Sequence, residues 1–397
     1  MKATFTNLRR TALYFCIATL AIACKDDVDT QPTLRALIDV AKLTDTVSYS
    51  AGNKLFVDAN GISTVSVSGG NVRLKMLAAI NTYNGLALKN GQVLDANTLK
   101  NLYTNTNNPF TTVYHPDFAG LNASGVQLRN VTASSFSATA AEVVRAKIEA
   151  GFTDMATIST SVNAIASKGQ AGYVLNGTTK YLLDAKGIET AQIIQKSLIG
   201  AFQLDYISNI LLGKGLDADN TTLVSGKNYT QLEHNWDEAY GVLTLNPIFL
   251  KDATDAAKSA TAAESFLGSY VWEYNKAGYA KVHSAFLKGR AAVVNNNAAE
   301  YKVQASFIKS QFELAIAKAA LGYLDKWKTS GTNDGARAHA IAEGLGFIYS
   351  LRFTAGADVK FSDDILNGLV SSSTGFWDLT PVKINTASDA IKVKFSL

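Results

Sequence analysis

Two histidine–glutamate pairs carry the clearest chemical potential in the sequence. His234 precedes Glu238 by four residues, and His339 precedes Glu343 by four. On a helix this spacing places both side chains on one face, about one turn apart. An imidazole and a carboxylate placed in this way can share a divalent metal, and two such helices can build a site in a bundle core. The spacing therefore predicts a metal site formed by these four residues, with purely structural His–Glu hydrogen bonding as the alternative.

Three further polar residues interrupt an apolar stretch of the chain. Glu189, Gln192 and Lys196 recur at three- and four-residue spacing on one face of a predicted helix. If that face is buried, its polar groups need partners, and His234 or Glu238 could supply them. We therefore predict that Glu189 and Gln192 support the metal ligands, with a solvated helix face as the alternative. Asp237, next to Glu238, is expected to support the ligands as well.

The remaining candidate groups have less specific interpretations. Lys288 and Arg290 follow His283 and are expected to offset a helix dipole, with anion binding as the alternative. His115 lies in a loop and is expected to be solvated. The sequence contains no His-Glu-x-x-His, Gly-x-Ser-x-Gly, P-loop or Gly-x-Gly-x-x-Gly motif. Zinc-peptidase, serine-hydrolase, nucleotidase and dehydrogenase chemistry therefore receive no support from these motifs.

These residues must be positioned by helices, because most of the chain has helical periodicity. Capping-box patterns predict helix starts at Thr139, Thr261 and, in a variant form, Asn297. A helix begins near Val72, and residues 101–136 are predicted to form a long ordered loop. Further helices are predicted over 139–167, 185–213, 228–244, 262–294, 298–328, 333–351 and 362–370. The predicted fold is all-α, with two packed helical bundles after a loop-rich N-terminal segment.

The N-terminus has the features of a secretory signal. Lys2, Arg9 and Arg10 precede an apolar run that ends at Cys24 and is too short for a bilayer, which needs about 20 helical residues. We predict a signal peptide over 1–23, an acylated Cys24 with a polar tether over 24–46, and a helical domain over 47–397. The alternative is a plain signal peptide with an incidental cysteine.

Removing this signal leaves a nearly neutral body. The formal charge of +4 falls by three, to +1, so the composition does not indicate nucleic-acid binding. Cys16 leaves with the signal and Cys24 carries the lipid, so the mature body would contain no disulfide and no thiol nucleophile.

Several segments resemble a known family of proteins. They are residues 73–77, 105–110, 233–241, 288–295 and 343–351, together with a Lys-Asp-Asp run at 25–27 that resembles a surface-export signal. The chain resembles Bacteroidota lipoproteins of the domain of unknown function 4856 family, which are similar to imelysins. This resemblance implies helical bundles, an extracytoplasmic location and a link to iron or haem uptake. The imelysin Gly-x-His-x-x-Glu hallmark maps only approximately onto His234 with Asp237 or Glu238, because Leu232 stands in the glycine position.

Three functions follow as hypotheses. The leading one is a lipid-anchored outer-membrane protein, exposed at the surface or facing the periplasm, that binds iron, haem or another metal-bearing ligand. Its partners would be the membrane and an outer-membrane transporter, and not nucleic acid. The second is an imelysin-type metallopeptidase, which needs at least three ligands and an open coordination position. The third is a scaffold or adhesin with structural His–Glu pairs.

Overall fold

The structure is a computed structural model that describes residues 34–44, 47–50, 54–245 and 265–397. By their contacts, the described residues belong to one compact unit around a continuous hydrophobic core. The predicted signal, Cys24, most of the tether and the capping box at Thr261 lie outside these residues. Within the described part, no helix is both long and apolar enough to cross a membrane.

The all-α prediction is confirmed. The helices are α1 (Ser68–Asn90), α2 (Ala96–Thr104), α3 (Phe118–Ala123), α4 (Ala138–Ser159), α5 (Thr190–Leu198), α6 (Gln231–Leu243), α7 (Leu267–Tyr274), α8 (Lys276–Val294), α9 (Ala298–Thr329), α10 (Asp334–Ser350), α11 (Val359–Val370) and α12 (Pro381–Phe395). The antiparallel strands β1 (Gly172–Asn176) and β2 (Thr179–Leu183) form the one hairpin of the described residues.

Several of the predicted helices agree with the observed ones to within a few residues, and others do not. The helices at 228–244, 298–328 and 333–351 correspond to α6, α9 and α10. The helix predicted over 139–167 ends at Ser159, and the chain continues into the hairpin. The loop predicted over 101–136 contains α3 and the end of α2, and α12 was not predicted. Within its described part, the helix predicted over 262–294 is two helices, α7 and α8, which are separated at Asn275.

Helix α5 continues beyond Leu198 with a wider turn. Two π-helical segments, Ile199–Leu204 and Tyr206–Leu211, follow it, and most of their side chains are buried. The helix predicted over 185–213 is therefore a short α-helix from Thr190 followed by π-helical turns. Such turns are rare and recur at functional sites.

The N-termini of three helices show which of the predicted capping motifs form in the structure. The Asn297 side chain accepts the N–H of Glu300 at 3.1 Å, as predicted. Thr139 is not a cap: α4 starts earlier, and the Ser137 side chain accepts the N–H of Ala140. A reciprocal capping box, which was not predicted, starts α6 at Thr230, where Thr230 accepts from the Glu233 N–H and donates its own N–H to the Glu233 carboxylate.

Close helix crossings place the chemical groups. Helix α6 packs mainly on α1 and α8, whereas α10 packs mainly on α9 and α5. Gly289 of α8 lies against the Trp236 indole, since a Cβ there would be 1.9 Å from the ring. Gly346 of α10 lets α5 approach, since a Cβ would be 2.4 Å from the Cβ of Lys196. These approaches hold α6 against α8 and bring Lys196 against α10.

Candidate functional site

A fully buried ion network joins α6 and α8. The Arg290 guanidinium donates from Nε to Asp237 Oδ1 at 2.8 Å and from Nη1 to Glu233 Oε1 at 2.9 Å. Its Nη2 donates to Thr64 Oγ1 at 3.0 Å. All three charged side chains are inaccessible to solvent. The sequence predicted that Arg290 would offset a helix dipole. In the structure, Arg290 instead neutralises two buried carboxylates.

The same carboxylates hold the segment that precedes α1. Arg35 Nη1 contacts Glu233 Oε1 at 2.7 Å. Asp237 accepts from the Tyr49 hydroxyl at 2.6 Å and from the Ser66 backbone N–H at 3.0 Å. Buried charges are tolerated in proteins when they are paired and fully hydrogen-bonded. Asp237, predicted to support a metal, therefore acts as an acceptor that ties the N-terminal segment to the core.

The first predicted pair lies beside this network. The His234 ring stacks on Tyr229 with centroids 5.2 Å apart, and its Nδ1 atom has no hydrogen-bond partner. Burial lowers the pKa of His234. Glu238 Oε1 forms a 2.6 Å ion pair with Arg73 Nη1, while Oε2 is buried without a partner. Glu238 is thus neutralised by Arg73.

The second predicted pair forms a different cluster. His339 Nδ1 donates to Glu189 Oε2 at 2.6 Å, and its Nε2 lies 3.7 Å from Glu343 Oε2. Glu343 Oε1 accepts from Lys196 Nζ at 2.8 Å. The Tyr181 ring of β2 stacks on the imidazole at 4.2 Å. Glu189 and Lys196 therefore pair with residues of α10, and not with His234 or Glu238.

The charge balance of this cluster favours a protonated imidazole. Burial lowers the pKa of His339, but the hydrogen bond to Glu189 and the charges of Glu189 and Glu343 outweigh burial, so the pKa is raised. Burial alone would raise the pKa of Glu343, yet Lys196 and His339 hold it below its usual value. Two cations and two carboxylates thus balance one another.

The two predicted pairs have different surroundings, because α6 and α10 have different main packing partners. Among the residues that the structure describes, no three His, Cys, Asp or Glu side chains converge in a way that could hold a metal ion. Glu238 and Glu343 are already neutralised by Arg73 and Lys196. The four-residue metal site stays a prediction, and this arrangement does not favour it.

Glu189 and Gln192 also line a pocket of about 150 Å³. The pocket is partly open to solvent and is bordered by α1, α4, β2 and the start of α5. Its wall includes the amides of Asn81, Asn84, Gln192 and Gln195. Asn84 was not singled out from the sequence, because a lone asparagine in a helix shows no signal of which surface it will face. We take this cavity, the amide pocket, as the candidate binding site.

The other two histidines have local roles. His283 is fully buried, with Nε2 donating to the Val47 carbonyl at 2.8 Å and Nδ1 accepting from the Tyr240 hydroxyl at 3.1 Å. His115 Nδ1 accepts from the Asp117 backbone N–H at 3.0 Å in an exposed turn. Neither histidine lines the amide pocket.

The fold and the site define a helical protein with a buried ion network and a small polar pocket. The sequence matches the family described as Domain of unknown function (DUF4856) over residues 53–397, and the chain belongs to that family. No curated protein and no solved structure matches the chain.

We expect Arg290→Met to destabilise the fold by about 3–5 kcal/mol, because Asp237 would lose its cationic partner in the interior and Glu233 would keep only Arg35. Urea unfolding of the full-length chain measures the loss. Lys288→Met is the control, because this half-buried lysine of the same helix forms no ion pair with any residue that the structure describes, and it should change stability by less than about 0.5 kcal/mol. A loss below about 1 kcal/mol in Arg290→Met would show that the network contributes little.

We expect His339→Gln to lower stability more at about pH 6 than at about pH 8.5. The folded-state pKa of His339 is raised above 6.5, so its stabilising contribution is complete below that value and is lost as pH rises through the folded-state pKa. Urea midpoints at both pH values measure this difference. His115→Gln should show the opposite dependence, because burial lowers the pKa of His115. An equal loss at both pH values for His339→Gln would contradict the charged imidazole.

Proposed function

We propose that this chain is a lipid-anchored extracytoplasmic protein that binds a small solute in the amide pocket, and that it is not an enzyme. The observation that carries this proposal is the pocket wall, which has four amide side chains and one carboxylate. Amides donate and accept hydrogen bonds but do not titrate, so they recognise a ligand without transferring protons to it. The carboxylate, Glu189, is occupied by the His339 imidazole at 2.6 Å.

The size of the pocket limits the ligand. Its volume of about 150 Å³ is below the roughly 300–1,000 Å³ of pockets that enclose drug-sized molecules. A haem group would not be enclosed by it. The amide pocket therefore favours a small polar solute, or the polar end of a larger one, over the haem that the imelysin resemblance implies.

The anchored location rests on the sequence. The basic start, the short apolar run and Cys24 have the order of a lipoprotein signal, and residues 25–27 resemble a surface-export signal. The resemblance to Bacteroidota lipoproteins and imelysins supports the same location. We therefore place the chain at the outer membrane, at the surface or facing the periplasm, where an outer-membrane transporter is the candidate partner.

A metal-bearing ligand is the second candidate, and one observation favours it. His234 Nδ1 and Glu238 Oε2 are both buried without a hydrogen-bond partner, four residues apart on α6. Two such donors do not make a resident metal site, and they fall short of the three ligands that a catalytic zinc needs. They could contribute to holding an iron chelate whose other ligands come with it. Because two donors are fewer than the three protein ligands of a catalytic zinc, this pair also argues against the metallopeptidase hypothesis.

Replacing Cys24 with serine should release the chain from the membrane. A serine has no thiol to acylate, so the lipid that anchors the chain would be lost. We expect wild type in the outer-membrane fraction and Cys24→Ser in the soluble fraction, with Cys16→Ser unchanged because that residue is removed with the signal. Fractionation and immunoblotting measure this. Membrane association of Cys24→Ser equal to that of wild type would contradict the anchor.

Ligand retention distinguishes the two candidate ligands. Full-length wild type, Gln192→Leu and His234→Ala are purified in detergent, incubated with spent growth medium and separated from free solutes. Retained molecules are identified by mass spectrometry, and iron and haem by elemental analysis and absorbance. We expect one small polar solute with wild type and with His234→Ala, but not with Gln192→Leu, which removes a polar wall atom. Iron retained by wild type and lost in His234→Ala would instead establish the metal-bearing ligand, and no retained solute or iron would contradict both.

A further inference from the structure

Apolar side chains are exposed on the segments that precede α1. Leu34 is 48% exposed and Leu37 is 69% exposed. Both line one cleft that is open to solvent, and we call the residues around it, 34–42 and 54–62, the N-terminal surface. The other apolar residues of this cleft are Ala36, Ile38, Leu55, Val57 and Ala59. A lone exposed leucine is ordinary, but several apolar side chains around one cleft indicate a surface that contacts another molecule or a membrane.

The first half of this surface is held firmly against the folded chain. The Arg35 guanidinium pairs with a buried carboxylate of α6 at 2.7 Å. The Ile38 backbone N–H donates to Asn295 Oδ1 at 2.8 Å, and Asn295 Nδ2 donates to the Ile38 carbonyl at 3.0 Å. The exposed residues Leu34 and Leu37 come directly before these two fixed residues. Their exposure is therefore a property of the folded structure and not of a loose end.

The second half of the surface is joined to the first through Asn228. Its carbonyl accepts from Arg35 Nη2 at 2.5 Å, and its Nδ2 atom donates to Asp58 Oδ2 and to the Ser63 carbonyl, each at 3.0 Å. The Asp58 backbone N–H closes a turn on the Ile62 carbonyl at 2.8 Å. Ile62 is 59% exposed on this turn. One side chain thus fixes a second exposed apolar group beside the first.

Two lysines of the same cleft have no charged partner in the protein. Lys42 and Lys54 are exposed, and neither forms an ion pair with any residue that the structure describes. The carboxylates of the cleft are engaged, since Asp39 accepts a backbone N–H at 3.0 Å and Asp58 accepts from the Asn228 amide at 3.0 Å. A lysine can lay its methylene stem along apolar groups while its amine pairs with a phosphate. The two amines are therefore available to phosphate groups outside the protein.

We infer that the N-terminal surface lies on the bilayer that holds the Cys24 lipid, an inference that rests on the proposed anchored location. Cys24 comes ten residues before Leu34, and ten residues of fully extended chain span at most about 35 Å. The tether therefore keeps this surface within that distance of the bilayer. Leu34, Leu37 and Ile62 enter the interface, and the two lysines pair with headgroup phosphates. This contact fixes the orientation of the folded chain on the membrane.

Quenching by nitroxide-labelled lipids tests this contact. The mature lipidated chain with Leu37→Cys carries an NBD fluorophore on the new thiol, because Cys24 is acylated and Cys16 is removed with the signal. The control is Val393→Cys on α12, where the native side chain is 83% exposed. Both chains are reconstituted in vesicles of about three parts phosphatidylcholine to one part phosphatidylglycerol, and we expect at least about twofold stronger quenching at position 37 than at 393.

A double charge reversal tests the headgroup pairing. Lys42→Glu with Lys54→Glu, added to Leu37→Cys, should weaken the quenching because two carboxylates would then meet lipid phosphates. These lysines make no ion pair with the described residues, so the fold should be kept, and the urea midpoint checks this. Quenching that is unchanged by the double reversal would overturn the headgroup pairing.

Flotation of the vesicles separates the surface contact from the anchor. Equal quenching at both positions, in a chain that floats with the vesicles, would overturn the inference and leave the anchor in place. Absence of quenching at both positions would also overturn it, and protection of the label at position 37 from aqueous iodide would then assign the surface to a partner protein or a second copy. A mature chain that does not float would contradict the inference and the anchored location together.

Discussion

The structure depends on the burial of one cation. Arg290 lies fully inside the protein, and its guanidinium is compensated by Glu233 and Asp237 from the neighbouring helix. A charge can remain in the interior only if its partners hold fixed positions, because removing one partner leaves an uncompensated charge in a poorly polarisable medium. The partners in turn bind the chain before α1 through Arg35 and Tyr49. The requirement to pair this guanidinium therefore joins segments that are far apart in the sequence.

Complete and incomplete hydrogen bonding distinguish the structural groups from the candidate binding groups. In the Arg290 network, the guanidinium donates to three acceptors and Asp237 accepts from three different partners. In the amide pocket, Asn84 and Gln192 have buried atoms with no partner. The segment 233–241, one of those that carry the family resemblance, belongs largely to the first kind, since Trp236 also donates to the Phe286 carbonyl at 2.9 Å. This motif therefore serves the fold.

Glu189 connects the amide pocket to the charged cluster at α10. Its carboxylate lines the pocket and accepts from His339, which lies close to Glu343. The start of α5 forms one side of the pocket wall, and Gly346 allows α5 to lie close to α10. A change in the charge of His339 would therefore act on a group in the pocket wall without contact between the imidazole and the ligand. The candidate site is thus built on packed helices, with one titratable link to its surroundings.

The sequence by itself determined the all-α class and the positions of several helices, because a repeating apolar face and a cap such as Asn297 are local signals. It also identified His339, Glu343, Glu189 and Gln192 as polar groups that would need partners. Their partners were decided only by the tertiary structure. Helical spacing predicts which side chains share a face, but it carries no information on which other helix covers that face. For this reason Glu189 was expected near His234 and lies against His339, and the buried amide of Asn84 had no signal in the sequence.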